Sequence, residues 1–162
     1  MKCKDVNFSH FLRKMMNDEE FKVSKEFLDG LSAFLNFFGK KIVILSSSLV
    51  CYAEKDRIDK SAIDTACKLI MGDLGNYHTH HRIKDIPDSR AKTLIKNNHN
   101  GSIAADAAPA LAKALNFIAS NFVESAKYEC GIDDRIIISY RDLIKASEDQ
   151  EPLRYLVREW KW

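Results

Sequence analysis

The chain has 162 residues, 46% of them hydrophobic and 30% charged, with a formal net charge of +2. That length suits one domain or two very small ones, with enough apolar residues for a sizeable core. The weak charge neither demands nor excludes a polyanionic partner. No run of eighteen apolar residues suggests a membrane-crossing helix. No apolar signal region follows Met1-Lys2-Cys3-Lys4, so an intracellular protein is expected.

The first predicted helix runs from about Phe8 to Met16, with Phe8, Phe11, Leu12, Met15 and Met16 on one face. Asn17-Asp18-Glu19-Glu20 ends it, and Phe21-Lys22-Val23 leads on as a short loop. Ser24 suits the N-cap of a long helix reaching about Glu54. Phe27, Leu31, Phe34, Leu35, Phe38, Ile42, Leu45, Leu49 and Tyr52 recur there at spacings of three and four, which lays one apolar stripe along a helix. At about 1.5 Å per residue it would run roughly 45 Å. Such a stripe needs a partner of similar length. Glu54 to Arg57 is a charged break. Asp59 can cap a third helix through about Met71, with Ile63, Ala66, Cys67 and Ile70 inward, and Gly72 stops it. Gly75 to Asp85 reads as a small, polar, histidine-rich linker.

The second half repeats this plan. Pro87 or Asp88 opens a helix to about Asn97, with Ala91, Leu94 and Ile95 inward. Asn98 to Ala105 is a loop containing Gly101. A second long helix, from Pro109 to about Glu129, carries Leu111, Leu115, Ile118, Phe122 and Ala126 at the same spacing. It is the partner that the first long stripe requires. Arg135-Ile136-Ile137-Ile138 is β-branched and so extended. Ser139 caps another helix, with Asp142 three residues on as a weaker capping box; Leu143 and Ile144 point inward. Pro152 starts a last short helix with Leu153, Leu156, Val157 and Trp160. Few glycines and three prolines fit a mostly helical chain. Each half reads short helix, loop, long helix, loop, short helix: an internal repeat with little sequence identity.

Chemistry-bearing groups are sparse. Cys3, Cys51, Cys67 and Cys130 stand far apart, and Cys51 and Cys67 read as buried thiols. His78, His80, His81 and His99 read as polar histidines rather than a metal site. Trp160 and Trp162 suit either a partner anchor or packing on the chain itself. Phe37 lies off the stripe, in the core or free for a contact with another protein. The sequence has no phosphate-cradling glycine loop, nucleophile elbow or convincing Cys/His pair, so no catalytic residue and no enzyme is expected.

Certain segments resemble a known family. Leu49-Val50-Cys51-Tyr52-Ala53-Glu54-Lys55-Asp56-Arg57-Ile58-Asp59, continued by Ala62 to Ile70 and Gly72-Asp73-Leu74, resembles the end of the long helix, second loop and third helix of histone two-B. Ile86-Pro87-Asp88-Ser89-Arg90 resembles the entry to the histone two-A fold, with Pro109 at the matching distance. Arg135-Ile136-Ile137 matches its second-loop signature, and Ser147-Glu148-Asp149-Gln150-Glu151-Pro152-Leu153 its acidic segment. Order, spacing and doubling together resemble a histone doublet, a two-B-type fold joined to a two-A-type fold, as in large DNA viruses of the Marseilleviridae kind.

The resemblance implies an all-α protein of two tandem histone folds, residues 1–82 (two-B-like, with linker) and 83–162 (two-A-like), paired as an intramolecular handshake pseudo-heterodimer. It implies a structural DNA-packaging role beside a histone three/four-type doublet, in viral chromatin or a host nucleus. Double-stranded DNA and that doublet are its partners; a cofactor, metal, membrane and small-molecule substrate are not. Three DNA sites follow. One pairs Lys22, Ser24 and Lys25 with Arg135 and the helix start at Ser139; its mirror pairs Lys55 and Arg57 with Asn100, Gly101 and Ser102. A central site draws on Arg13, Lys14, Arg90 and Lys96. Asp73, Glu124, Glu148, Asp149 and Glu151 would form a thin acidic patch, with Asn116 and Asn121 where the family has acids. The family's loop arginine is missing from Asn100 to Ile103, and neither a basic N-terminal tail nor a long C-terminal extension is present. DNA binding weaker than that of an ordinary histone is therefore expected. The alternative is a non-nucleosomal histone-fold module, transcription-factor-like or chaperone-like, that pairs proteins.

Overall fold

A computed structural model describes residues 5–17, 20–72 and 84–162. Cys3, Asp73, His78, His80 and His81 lie outside the described residues, as does most of the expected linker. The described elements are α1 (Ser9–Met15), β1 (Lys22–Val23), α2 (Lys25–Tyr52), α3 (Lys60–Met71), α4 (Asp88–Asn98), α5 (Ala107–Ile132), β2 (Ile137–Ile138), α6 (Tyr140–Asp149) and α7 (Glu151–Val157).

Local signals explain the helix limits. Asp59 Oδ1 accepts from the Ala62 amide at 2.9 Å and opens α3. Ser24 Oγ accepts from the Phe27 amide at 3.2 Å and opens α2. Ser139 and Asp142 close a capping box at α6, the Ser139 amide donating to Asp142 Oδ2 at 2.8 Å.

α5 buries its whole expected stripe, Leu111, Leu115, Ile118, Phe122 and Ala126. α2 departs from its own. Phe27, Leu31, Phe34, Leu35, Phe38 and Ile42 are buried, but Leu45 and Leu49 are half-buried and Tyr52 is 93% exposed. The buried positions toward its end are Val43, Ser46 and Val50. A 3.6-residue turn drifts against the strict three-four spacing, so the buried face moves one residue along. Cys51, about 100° around the helix from Val50, lies off that face and is exposed, contrary to its reading as a buried thiol. By length and mean hydropathy α2 could cross a bilayer, yet half of its most apolar window is buried in the protein. This is the behaviour of a core helix, and it overrides a reading from apolar runs alone.

The expected Phe21–Val23 loop contains a strand. β1 pairs with β2 in parallel, Lys22 opposite Ile137 and Val23 opposite Ile138. Two residues hold no readable period, and the partner strand lies in the other half of the sequence.

The chain forms two compact units, one of residues 1–6 and 36–117, the other of residues 7–35 and 118–162. In the first, Phe38, Ile42, Ile58, Ile63, Cys67, Ile95, Leu111 and Leu115 are buried. Two asparagines there each clasp the main chain of a residue thirty positions earlier. Asn36 accepts from Val6 N at 2.8 Å and donates to Val6 O at 2.6 Å. Asn116 does the same with Ile86, at 2.8 and 2.9 Å. Both side chains are buried, so these bonds offset a desolvation cost of about 1–3 kcal/mol per unmet group. In the second unit, Phe8, Leu12, Phe27, Leu31, Phe34, Phe122, Ile138 and Leu143 are buried.

The halves repeat in detail. Val6 and Ile86, Asn36 and Asn116, Val50 and Cys130, Glu54 and Asp134, and Ile58 and Ile138 keep one constant separation in the sequence. Glu54 (φ 59°) and Asp134 (φ 52°) both take the left-handed conformation just past a long helix. The next amides, Lys55 and Arg135, return to Val50 O (2.8 Å) and Cys130 O (3.1 Å). The same turn thus ends both long helices.

Candidate nucleic-acid interface

In the second unit, strand pairing brings together the residues of the first expected site. Lys22 N donates to Ile136 O and Ser24 N to Ile138 O, each at 2.9 Å. Lys22 and Lys25 are exposed, and Ser24 is half-buried because its hydroxyl caps α2. Arg135 differs from a free cation. Its guanidinium bridges fully buried Asp142, through both carboxylate oxygens, and Asp133 at 3.2 Å. Asp142, more than Asp133, holds Arg135 protonated above its ordinary range, against the opposing effect of burial. The geometry fixes Arg135 in the loop and turns part of its donor set inward. The Cys130 thiol, pushed up chiefly by burial, donates to Arg135 O at 3.3 Å and so supports the same loop. Sequence reading missed both contacts. Asp142 was visible only as a helix-cap partner, and nothing adjacent in sequence marks Cys130.

In the first unit, the mirrored loops meet through a parallel bridge of Ile58 with Ile103. Ile58 N donates to Ser102 O at 3.0 Å and Ala104 N to Ile58 O at 2.8 Å. Lys55, Arg57, Asn100 and Ser102 are exposed there. Gly101 permits the approach: a Cβ on it would lie 2.1 Å from the Asp56 carbonyl oxygen. His99 is a further clasp. A carbonyl only accepts, so Nε2–H donates to Asp56 O at 2.7 Å, leaving Nδ1 to face the Ser47 hydroxyl at 2.8 Å. Both ring nitrogens are therefore occupied. Among the described residues no group of three or more metal-type ligands occurs.

The remaining expected cations are exposed: Arg13 and Lys14 on α1 in the second unit, Arg90 and Lys96 on α4 in the first. Of the acidic residues, Glu124, Glu148, Asp149 and Glu151 are exposed, and Lys127 lies 3.7 Å from Glu124. Asn116 is 1% exposed and clasps Ile86, so it cannot extend an acidic surface.

Glu129, absent from the expected patch, is a second buried carboxyl of this unit, in addition to Asp142. Burial foremost, and then its hydrogen bond to Asp149, raise its pKa, despite Lys145 at 3.8 Å. The folded state therefore holds this proton more tightly than the unfolded chain does. The associated stability is full below the ordinary glutamate range and is lost as pH rises through the raised value. Glu129→Gln will gain stability over wild type as pH rises from about 4 to 8, because an ordinary glutamate ionises near 4.3. Melting temperatures across that range test this, and a difference independent of pH would refute it.

The C-terminal tryptophans pack on their own unit. The Phe34 ring centroid lies 5.1 Å from Phe122, 6.0 Å from Trp160 and 5.5 Å from Trp162. Trp162 Nε1 donates to Ser147 Oγ at 3.1 Å. Of the two readings of this pair, the structure takes packing on the chain itself. Phe37 is half-buried, with Lys41 Nζ 5.6 Å from its ring centroid.

This arrangement of short helix, long helix and short helix, with clasped loops, is the histone fold. Residues 84–146 match the family described as histone-like transcription factor (CBF/NF-Y) and archaeal histone. The crystal structure of the histone from Methanopyrus kandleri is similar, with a TM-score of 0.66 at 13% identity, over 85% of this chain and 91% of that one. No curated protein matches the sequence. The description of the matched family names transcription factors and archaeal histones and no enzyme.

Proposed function

We propose that the chain is a DNA-packaging histone doublet: a two-B-like fold in residues 1–82 and a two-A-like fold in residues 83–162, paired as an intramolecular handshake. The observation that carries this reading is the doubled loop clasp. β1 of the first half pairs with β2 of the second, and Ile58 of the first half bridges Ile103 of the second. The likeness to the Methanopyrus kandleri histone, which covers too much of this chain to lie in one half, supports it. Covalent linkage makes such pairing intramolecular, at an effective concentration of order mM. DNA would be held without sequence preference through Lys22, Ser24, Lys25, Lys55, Arg57, Arg90, Lys96, Arg13, Lys14 and the region of Arg135 and Ser139. Its partner would be a histone three/four-type doublet, and its place viral chromatin or a host nucleus. Glu124, Glu148, Asp149, Glu151 and Asp73 would supply the acidic surface.

Reconstitution on DNA with and without a three/four-type doublet, followed by nuclease digestion, tests this. The expected result is a discrete protected fragment that requires both proteins. A smear beside a stable protein–protein complex would favour a second reading, a histone-fold module for protein pairing. The net charge of +2 and the transcription factors in the matched family support that alternative.

A further inference from the structure

The two loop clasps differ in the chemistry that opens their helices. In the second unit, the helices that start beside the β1–β2 pair are capped by hydroxyls, Ser24 at α2 and Ser139 at α6. Asp142, the carboxylate of the α6 capping box, is fully buried and bonded to Arg135 through both oxygens.

In the first unit, the helices beside the Ile58–Ile103 bridge open on carboxylates. Asp59 caps α3 by accepting from Ala62 N at 2.9 Å. Asp106 directly precedes α5, where such a residue ordinarily caps the second or third helical amide. The third position is Pro109, which has no N–H. Asp106 Oδ1 crosses instead to α3 and accepts from Lys60 N at 3.0 Å. Two carboxylates therefore sit on the first-turn amides of α3. Asp106 is exposed and Asp59 half-buried, and neither forms an ion pair among the described residues. The Lys60 ammonium is drawn to Asp64, at 2.7 Å. Both carboxylates line an open cleft of about 420 Å³ together with Arg57, Ala104 and Ala105.

The first turn of a helix presents amides and partial positive charge, and so favours an anion. At α3 the chain's own carboxylates hold that position. A duplex phosphate approaching Lys55 or Arg57 meets two fixed negative charges in place of open amides. We propose that Asp106, together with Asp59, is an electrostatic gate: it holds the loops of the first unit to a weak grip on DNA and sets the affinity of the chain below what its lysines and arginines would give. This gate presupposes the DNA-binding reading and acts within it by opposing a contact.

The test is fluorescence anisotropy of a short mixed-sequence duplex with the full chain across a salt series. Asp106→Asn keeps an acceptor for Lys60 N and removes the charge. It should tighten binding about threefold, and Asp59→Asn with Asp106→Asn about tenfold, with a steeper salt dependence as phosphates reach Arg57 and Lys55. Adding Arg57→Ala to Asp106→Asn should remove the gain, which would place it at this cleft. Asparagine caps a helix about as well as aspartate, so melting temperatures should be unchanged. A purely structural role for Asp106 would instead lower the melting temperature and leave affinity no higher. Asp5→Asn, the same change of charge on an exposed residue outside both loops, is the control. Wild-type binding that Asp106→Asn fails to tighten, or that Asp5→Asn tightens equally, would overturn the gate and leave DNA binding standing. No salt-dependent binding by wild type or by the double variant would overturn the DNA-binding reading itself.

Discussion

Phe34→Ala will lower the melting temperature on the order of 10 °C. Phe34 is fully buried and stands in a cluster with Phe122, Trp160 and Trp162. Truncating a buried phenylalanine costs about 3–5 kcal/mol, combining the lost transfer energy with an unfilled cavity. In a protein of this size each kcal/mol moves the midpoint by roughly 2–4 °C. The same change removes the ring against which both tryptophans pack. Tryptophan emission should therefore shift to the red at temperatures well below global unfolding. Thermal scans by circular dichroism and fluorescence measure the two effects together. A variant with an unchanged midpoint and unchanged emission would show that the tryptophans pack elsewhere.

Gly101→Ala should come close to that effect from the surface, where glycine replacements usually matter little. A Cβ at 101 would meet the Asp56 carbonyl oxygen at 2.1 Å. That oxygen is main chain and also accepts the His99 ring hydrogen bond, so it cannot swing away as a side chain would. The loops must separate. The bridge bonds of Ile58 with Ser102 and Ala104 go with them, at about 1 kcal/mol net each. Overpacking adds about 1–3 kcal/mol. A fall of roughly 5–15 °C is expected, together with faster amide exchange at Ile58 and Ala104. Gly131→Ala is the control. It lies within α5, and among the described residues its added Cβ would meet only Phe21 at 4.0 Å. Alanine is the better helix former there, so a neutral or slightly stabilising result is expected. Equal losses for the two variants would refute the close-approach argument.

Among the expected DNA contacts, Arg135 carries a buried ion pair that its sequence context does not reveal. A β-branched loop headed by arginine suggests a cation presented to solvent. The fold also sets that arginine, still 35% exposed, against Asp142, a buried carboxylate contributed by the next helix. Removing the charge at 135 would therefore disturb the loop as well as any phosphate contact. A loss of DNA affinity in such a variant would not by itself identify Arg135 as a contact. Lys96 on α4, exposed and without an ion pair among the described residues, gives a cleaner readout.

Much of the architecture was legible from residue order. The stripe from Leu111 to Ala126, the caps at Asp59 and Ser139, and the short helix with Ala91, Leu94 and Ile95 inward all follow from local rules: helical period, cap chemistry and turn residues. The doubling of the plan was readable for the same reason. What could not be read locally was every feature whose partner lies far along the chain. β1 has two residues and acquires strand geometry only against β2. The Asn36 and Asn116 clasps, the His99 bridge and the ion pair of Arg135 with Asp142 join groups that no periodic pattern links. The rotation of α2 that buries Val50 and exposes Tyr52 depends on what packs beside it, since an apolar stripe of spacing three and four leaves its outer turns free to drift. Helical period and capping act within a few residues, whereas burial and hydrogen-bond satisfaction are settled only when distant segments meet.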